Sequence, residues 1–310
     1  GALDTDIKSL KKAARQNVGP EIINRIKNII NENNVELKDD LKIYWNSFPI
    51  AQLTAGKDYL NPDLKLIIDD MIETSDQFDL YKYLISWINK KIKDELTNLI
   101  ELKNLENENP HIRALAYRIY ESNGVVKREE VKNFISKLEQ NDRKILREKG
   151  VKFGRYHIFL FKLFKPKAVS LRTLLWKNFN QKYFKLDPPQ FGLNFVYGGK
   201  ELNRDFMLMC GFEKFDSYYV RIDILERLFL MIIDKNTNDK IKLVPEMLNL
   251  LGCSKENFVK LMEKMNYKSY SDDQEVYFKY NLKKKFKKIE KNKIINDDNP
   301  FNILKEIRIK

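Results

Sequence analysis

Cysteine is nearly absent from this chain. Its 310 residues include only Cys210 and Cys253. That is too few for a disulfide scaffold, and neither has the paired spacing of a zinc ribbon or redox motif. Such usage suits a reducing compartment, so the expected location is cytoplasmic. Histidine is as rare: His111 and His157 have no partner at metal-ligand spacing. No apolar run approaches the roughly 18–20 residues of a membrane helix, so no membrane partner is expected. The opening Gly1-Ala2-Leu3-Asp4 lacks the basic and apolar regions of a signal peptide. A Walker A loop is missing too. Gly56-Lys57 runs into Asp58 and Gly199-Lys200 into Glu201, where a phosphate cradle needs Ser or Thr. No catalytic residue, no metal site and no cofactor are therefore expected in this chain.

Acid is the other absence, and it is local. From Lys149 to Lys185 there are ten Lys or Arg and no Asp or Glu. Lys283 to Lys293 adds seven Lys against one Glu. These two segments carry the whole excess of the +13 net charge and leave the remainder near −3. A patterned cationic excess is what polyanion binding needs, because each neutralised phosphate releases counterions. In the first segment Lys152, Arg155, Lys162, Lys165, Lys167, Arg172 and Lys177 alternate with Phe153, Tyr156, Phe159, Phe161, Phe164 and Trp176. Bases can stack on aromatic faces while the cations track phosphates. The expectation is one continuous cationic surface. In the second, Lys283, Lys284, Lys285, Lys287 and Lys288 form a polybasic tail that would raise local nucleic-acid concentration.

Periodicity gives an α+β fold, mainly α, and the length suggests roughly two domains. Residues 5–32 read as helical, with isoleucines at helical spacing after Gly19-Pro20. Alternation at Val35 and Leu37, at Leu41, Ile43 and Trp45, and at Leu64, Leu66 and Ile68 predicts a small β meander. A helix near 77–106 carries Tyr81, Leu84, Ile88, Ile92, Leu96 and Leu99 in one stripe. Asn109-Pro110 ends it, and the next helix stops at Asn123-Gly124. A third follows from Val131 to Ile145. Residues 190–221 read as short strands. Then come a helix near 223–233, a short helix at Pro245, a Gly252-Cys253-Ser254 turn, a helix with Phe258, Leu261, Met262 and Met265, and a hairpin around Ser271-Asp272-Asp273. That order describes a winged helix. Its second helix carries Lys255, Lys260 and Lys264, but also Glu256 and Glu263. The expected division is an N-terminal helical segment (1–33), a β module (34–69), a helical domain with the basic block (70–186), strands plus winged helix (187–282) and the tail (283–310).

Two segments resemble a known family. Gly150-Val151-Lys152-Phe153-Gly154-Arg155-Tyr156-His157, running on through Leu163-Phe164-Lys165-Pro166-Lys167 to Leu171-Arg172-Thr173-Leu174-Leu175-Trp176, is one. Pro245 to Ser254 with Asn257-Phe258 and Tyr267 is the other. Both resemble the C-terminal region of bacterial superfamily-two helicases related to the mitochondrial degradosome helicase, the suppressor-of-var type. Pro49 to Leu60 and Val220 to Leu228 are similar to it as well. Phe161 stands where that pattern has Pro. The resemblance implies a non-catalytic accessory region that guides single-stranded RNA, or single-stranded DNA, from an ATP-dependent helicase, with RNA ahead of DNA. Its partner would be a RecA-like core, in cis before residue 1 or in trans, and ATP and Mg²⁺ would belong to that core. A stand-alone winged-helix DNA-binding protein and a protein-docking scaffold built on 70–148 are the alternative expectations.

Overall fold

The computed structural model describes residues 20–67 (without 22), 74–105, 108–181, 186–198, 202–215, 217–234, 236–237, 240–272 and 275–281. Its helices and small antiparallel sheets form an α+β fold, mainly α. Helix α1 covers 20–32 among the described residues and buries Ile26 and Ile29. The meander β1 (Val35–Leu37), β2 (Lys42–Trp45), β3 (Phe48–Asp58) and β4 (Asn61–Leu66) follows in sequential order. Alternation puts Ile43, Ala51, Leu53 and Leu64 on the buried face. Gly56 sits at a register shift in β3–β4, where an added Cβ would lie 2.0 Å from the Asn61 carbonyl oxygen. The Gly56-Lys57 pair is thus a strand irregularity with close backbone approach, not a phosphate loop.

The helix expected near 77–106 is two. α2 (Thr74–Glu95) and α3 (Thr97–Lys103) meet at Leu96. The Thr97 hydroxyl donates to the Lys93 and Asp94 carbonyls at 2.7 and 3.0 Å, a back-bond that competes with the helix ladder. α4 (Pro110–Glu121) starts on Asn109, whose side chain accepts from His111 and Ile112 N–H, with Pro110 in the first turn. It ends as the Gly124 N–H donates to the Ile119 carbonyl at 2.8 Å. Gly124 has φ +83°, and a Cβ there would meet Leu163 Cδ1 at 2.3 Å. The third helix also divides, into α5 (Lys132–Ile135) and α6 (Gln140–Glu148).

A second sheet has the order β5 (Val125–Lys127), β7 (His157–Leu160), β6 (Val151–Phe153). It has two buried faces. Val126, Ile158, Leu160 and Val151 join a large core that runs from Ile26 to Leu175. Val125 and Phe159 face the other way, onto Ile222. After β7 a 3₁₀ turn (Phe161–Phe164) leads into α7 (Pro166–Phe179), buried along most of its length.

The C-terminal unit opens with β8 (Phe195–Tyr197), α8 (Arg204–Met209), β9 (Phe212–Phe215) and β10 (Tyr218–Arg221); the strands pair in the order β8-β10-β9. Then come α9 (Ile222–Asp234), β11 (Asn236–Thr237), β12 (Lys240–Lys242), α10 (Pro245–Leu251), α11 (Lys255–Lys264) and the hairpin β13 (Tyr267–Asp272) and β14 (Glu275–Tyr280). β14 lies between β12 and β13. Gly252 closes α10 in the left-handed region, and the Ser254 side chain caps α11 by accepting from Asn257 N–H. Leu225, Leu228, Met247, Phe258, Leu261 and Phe278 fill a core of their own. Among the described residues no helix is long and apolar enough to cross a membrane.

Candidate nucleic-acid interface

The acid-free segment does not form one surface. Lys162, Lys165 and Lys167 are exposed, together with Phe161, Pro166 and Ser170. The Lys165 N–H donates to the Lys162 carbonyl at 3.3 Å, so a tight turn holds Lys162 and Lys165, and Lys167 follows in the first turn of α7. They surround the start of α7, which has no side-chain cap and no acid in its first turn. Uncapped backbone N–H groups and the helix dipole add positive potential there. The result is a cationic ledge with an aromatic side chain, Phe161, 44% exposed beside it.

The rest of the block goes elsewhere. Lys152 is exposed on β6, and Arg155 is exposed at the β6–β7 turn with its guanidinium 5.3 Å from the centroid of the Phe229 ring. Strand β7 separates Arg155 from Lys162, at most about 24 Å along an extended chain. Arg172 is wholly buried. It donates to the carbonyls of Asn123 at 2.7 Å, Leu163 at 3.3 Å and Met209. Burial pushes its pKa down, yet an arginine stays charged, which is why it takes backbone oxygens. Lys177 is buried as well and lies 3.4 Å from Asp187. Neither can reach a strand on the surface, so both leave the binding set. Phe159, Trp176 and most of the interleaved aromatics are buried or half-buried; Phe159 stacks on Phe164 at 5.2 Å. Of those rings Phe161 alone is exposed.

On α11, Lys255, Lys260 and Lys264 are exposed, with Glu256 and Glu263 exposed among them. The Asn257 side chain in the first turn lies 3.1 Å from the Tyr218 hydroxyl of β10, so one flank of that helix start is covered. Lys283, Lys284, Lys285, Lys287 and Lys288 lie outside the described residues.

Sequence reasoning missed a polar cleft of about 520 Å³ between the end of α4, β5 and α8. Its floor is a buried pair: His157 Nε2 stands 2.9 Å from Glu213 Oε2. Lys127 and Arg204 approach the same carboxylate at 3.7 and 3.3 Å. Burial alone would raise the Glu213 carboxyl. The hydrogen bond from His157 and the charges of His157, Lys127 and Arg204 outweigh it and hold that pKa at about 2. Across the cleft Arg118 lies 3.8 Å from Glu121 and 3.7 Å from Glu130. Burial raises the thiols of Cys210 and Cys253 to about 12 and about 11, so neither is a thiolate at neutral pH. No group of His, Cys, Asp and Glu able to hold a metal occurs among the described residues. Comparison with protein-family models, with curated proteins and with solved structures finds no match.

Proposed function

We propose that this chain is a nucleic-acid-binding accessory region of an ATP-dependent helicase, and that single-stranded RNA, or single-stranded DNA, crosses the ledge at the start of α7. The observation that carries the reading is the convergence of Lys162, Lys165 and Lys167 on an uncapped, acid-free helix start. Phosphates fit such a place because backbone N–H groups and point charges act together. Phe161 offers one ring for a base. Arg155 and Lys152 would extend the contact to a strand that follows β7. ATP and Mg²⁺ belong to the RecA-like core of this reading and have no role in the residues here.

A second reading has its own support. Helix, strand, helix–turn–helix and hairpin, with β12 joined to β14, is the order of a winged helix, and it would bind duplex DNA through α11. Glu256, Glu263 and the Asn257–Tyr218 contact weigh against it. The docking-scaffold reading has less: between 70 and 148 the exposed large apolar side chains among the described residues are Phe78 and Tyr117. Competition binding separates the readings. Labelled single-stranded RNA bound to the chain should be displaced by unlabelled single strands before duplex, and K162E/K165E/K167E should weaken capture. Preference for duplex with losses on K255E/K260E would reverse the order of the two readings.

A further inference from the structure

The sheet β5-β7-β6 lies between two cores, and on one of its faces His157 and Lys127 both approach Glu213 of the C-terminal unit. Along β7, Ile158 and Leu160 turn to the large core while Phe159 turns to Ile222 of the C-terminal unit. His157 shares the face of Phe159. Its ring, 3% exposed, stands between two carboxylates of that unit: Glu213 on β9 is hydrogen-bonded at 2.9 Å from Nε2, and Glu226 on α9 lies 3.7 Å from Nδ1, within ion-pair range but beyond a hydrogen bond. Lys127 on β5 and Arg204 on α8 face Glu213 from the cleft side. The Glu226 carboxylate has a second task. It accepts the backbone N–H groups of Arg155, Tyr156 at 2.9 Å and His157 at 3.0 Å, and so closes the β6–β7 turn. Gly154 leaves room for it, since a Cβ there would lie 2.5 Å from Glu226 Cδ.

We propose that His157 is a protonation-dependent clamp: as imidazolium it bridges Glu213 and Glu226 and fastens the C-terminal unit to the sheet, and as neutral imidazole it loosens that joint. A neutral ring carries one N–H. Kept on Nε2 for Glu213, it leaves a lone pair on Nδ1 facing the Glu226 oxygen. Moved to Nδ1, it sets the Nε2 lone pair against Glu213 at 2.9 Å. Only the doubly protonated ring meets both carboxylates with a donor. Burial pulls the pKa of His157 down, and the two glutamates outweigh it and raise it. The clamp is therefore closed below about pH 6.5 and opens as pH rises through the higher folded value. His157 lines the cleft, which gives protons a route to a ring that is otherwise enclosed. None of the clamp's side chains belongs to the ledge at the start of α7, although Glu226 holds the backbone N–H of Arg155.

The chain has two histidines, so imidazole NMR titration is direct, with H111Q assigning the signals. His157 should titrate above the ordinary value near 6.5, and E213Q or E226Q should lower its proton affinity at least tenfold. Hydrogen exchange at pH 6 and 9, corrected for intrinsic rates, should show several-fold loss of protection at high pH for Tyr156, His157 and the first turn of α9, relative to α2. In E226Q, which keeps an oxygen for the turn, that pH-dependent loss should be absent. A His157 that titrates at or below the ordinary value overturns the clamp, as does an equal loss of protection in wild type and E226Q.

Discussion

A guanidinium has five N–H donors and no acceptor, so an arginine withdrawn from water must find oxygens. Arg172 finds them at Asn123, Leu163 and Met209, at the ends of α4, the 3₁₀ turn and α8. Its charge was plain in the sequence; its partners were not, because they come from three distant positions and are main-chain atoms of unremarkable residues. R172M should cost about 3 kcal/mol or more, since each orphaned buried carbonyl costs about 1–3 kcal/mol. R172K should recover little, because one ammonium cannot span three carbonyls. Urea unfolding of the two variants against wild type checks both. Glu213 contributes to the acid limb of stability. Its folded pKa is depressed, so its contribution is complete above about pH 4.5 and falls away as pH drops toward about 2. The drop in urea midpoint from pH 5 to pH 3 should be smaller in E213Q than in wild type. An equal drop would mean that other carboxylates carry the acid sensitivity.

Helices whose signals are local were legible as elements. Asn109 before Pro110, Gly124 after α4 and Ser254 before α11 all act as their chemistry dictates. The meander and the last hairpin were equally readable from alternation, because each has one buried face. What failed to show was the break at Leu96, where the apolar stripe runs straight on and only the Thr97 back-bond marks the joint. The short helix α8 carries too little pattern to be read. Asn109 also donates to Asp142 at 2.8 Å and so ties α4 to α6. N109A should therefore lower stability by about 1–2 kcal/mol in denaturant melts. α7 offers a sharper test. Lysines at a helix start oppose the dipole, so K165E/K167E should stabilise the fold by about 0.3–1 kcal/mol. The same pair should weaken strand binding. Thermal melts and binding on one preparation would then move in opposite directions, which a merely structural role for the lysines does not produce.

On the scale of the whole molecule, charge composition suggested a polyanion surface, but composition says nothing of which charges face water. Folding sends Arg172 and Lys177 inward and leaves Lys162, Lys165 and Lys167 exposed around the start of α7. The cleft and the contacts beneath it are products of tertiary structure: His157 and Glu213, which line it, are 56 residues apart, and Glu226 reaches back 69 to the His157 backbone. No window of sequence holds such a set. The fold class could be read because periodicity is local, whereas the ledge depends on where α7 emerges from the core. The account rests on that ledge holding phosphates, and the salt dependence of single-strand affinity measures this most directly. With log affinity plotted against log salt, each phosphate contact contributes a slope of about −0.7. Wild type should bind single-stranded RNA with a slope that K162E/K165E/K167E reduces by about 2, with lower affinity at every salt concentration. A triple variant with the affinity and slope of wild type would contradict the account.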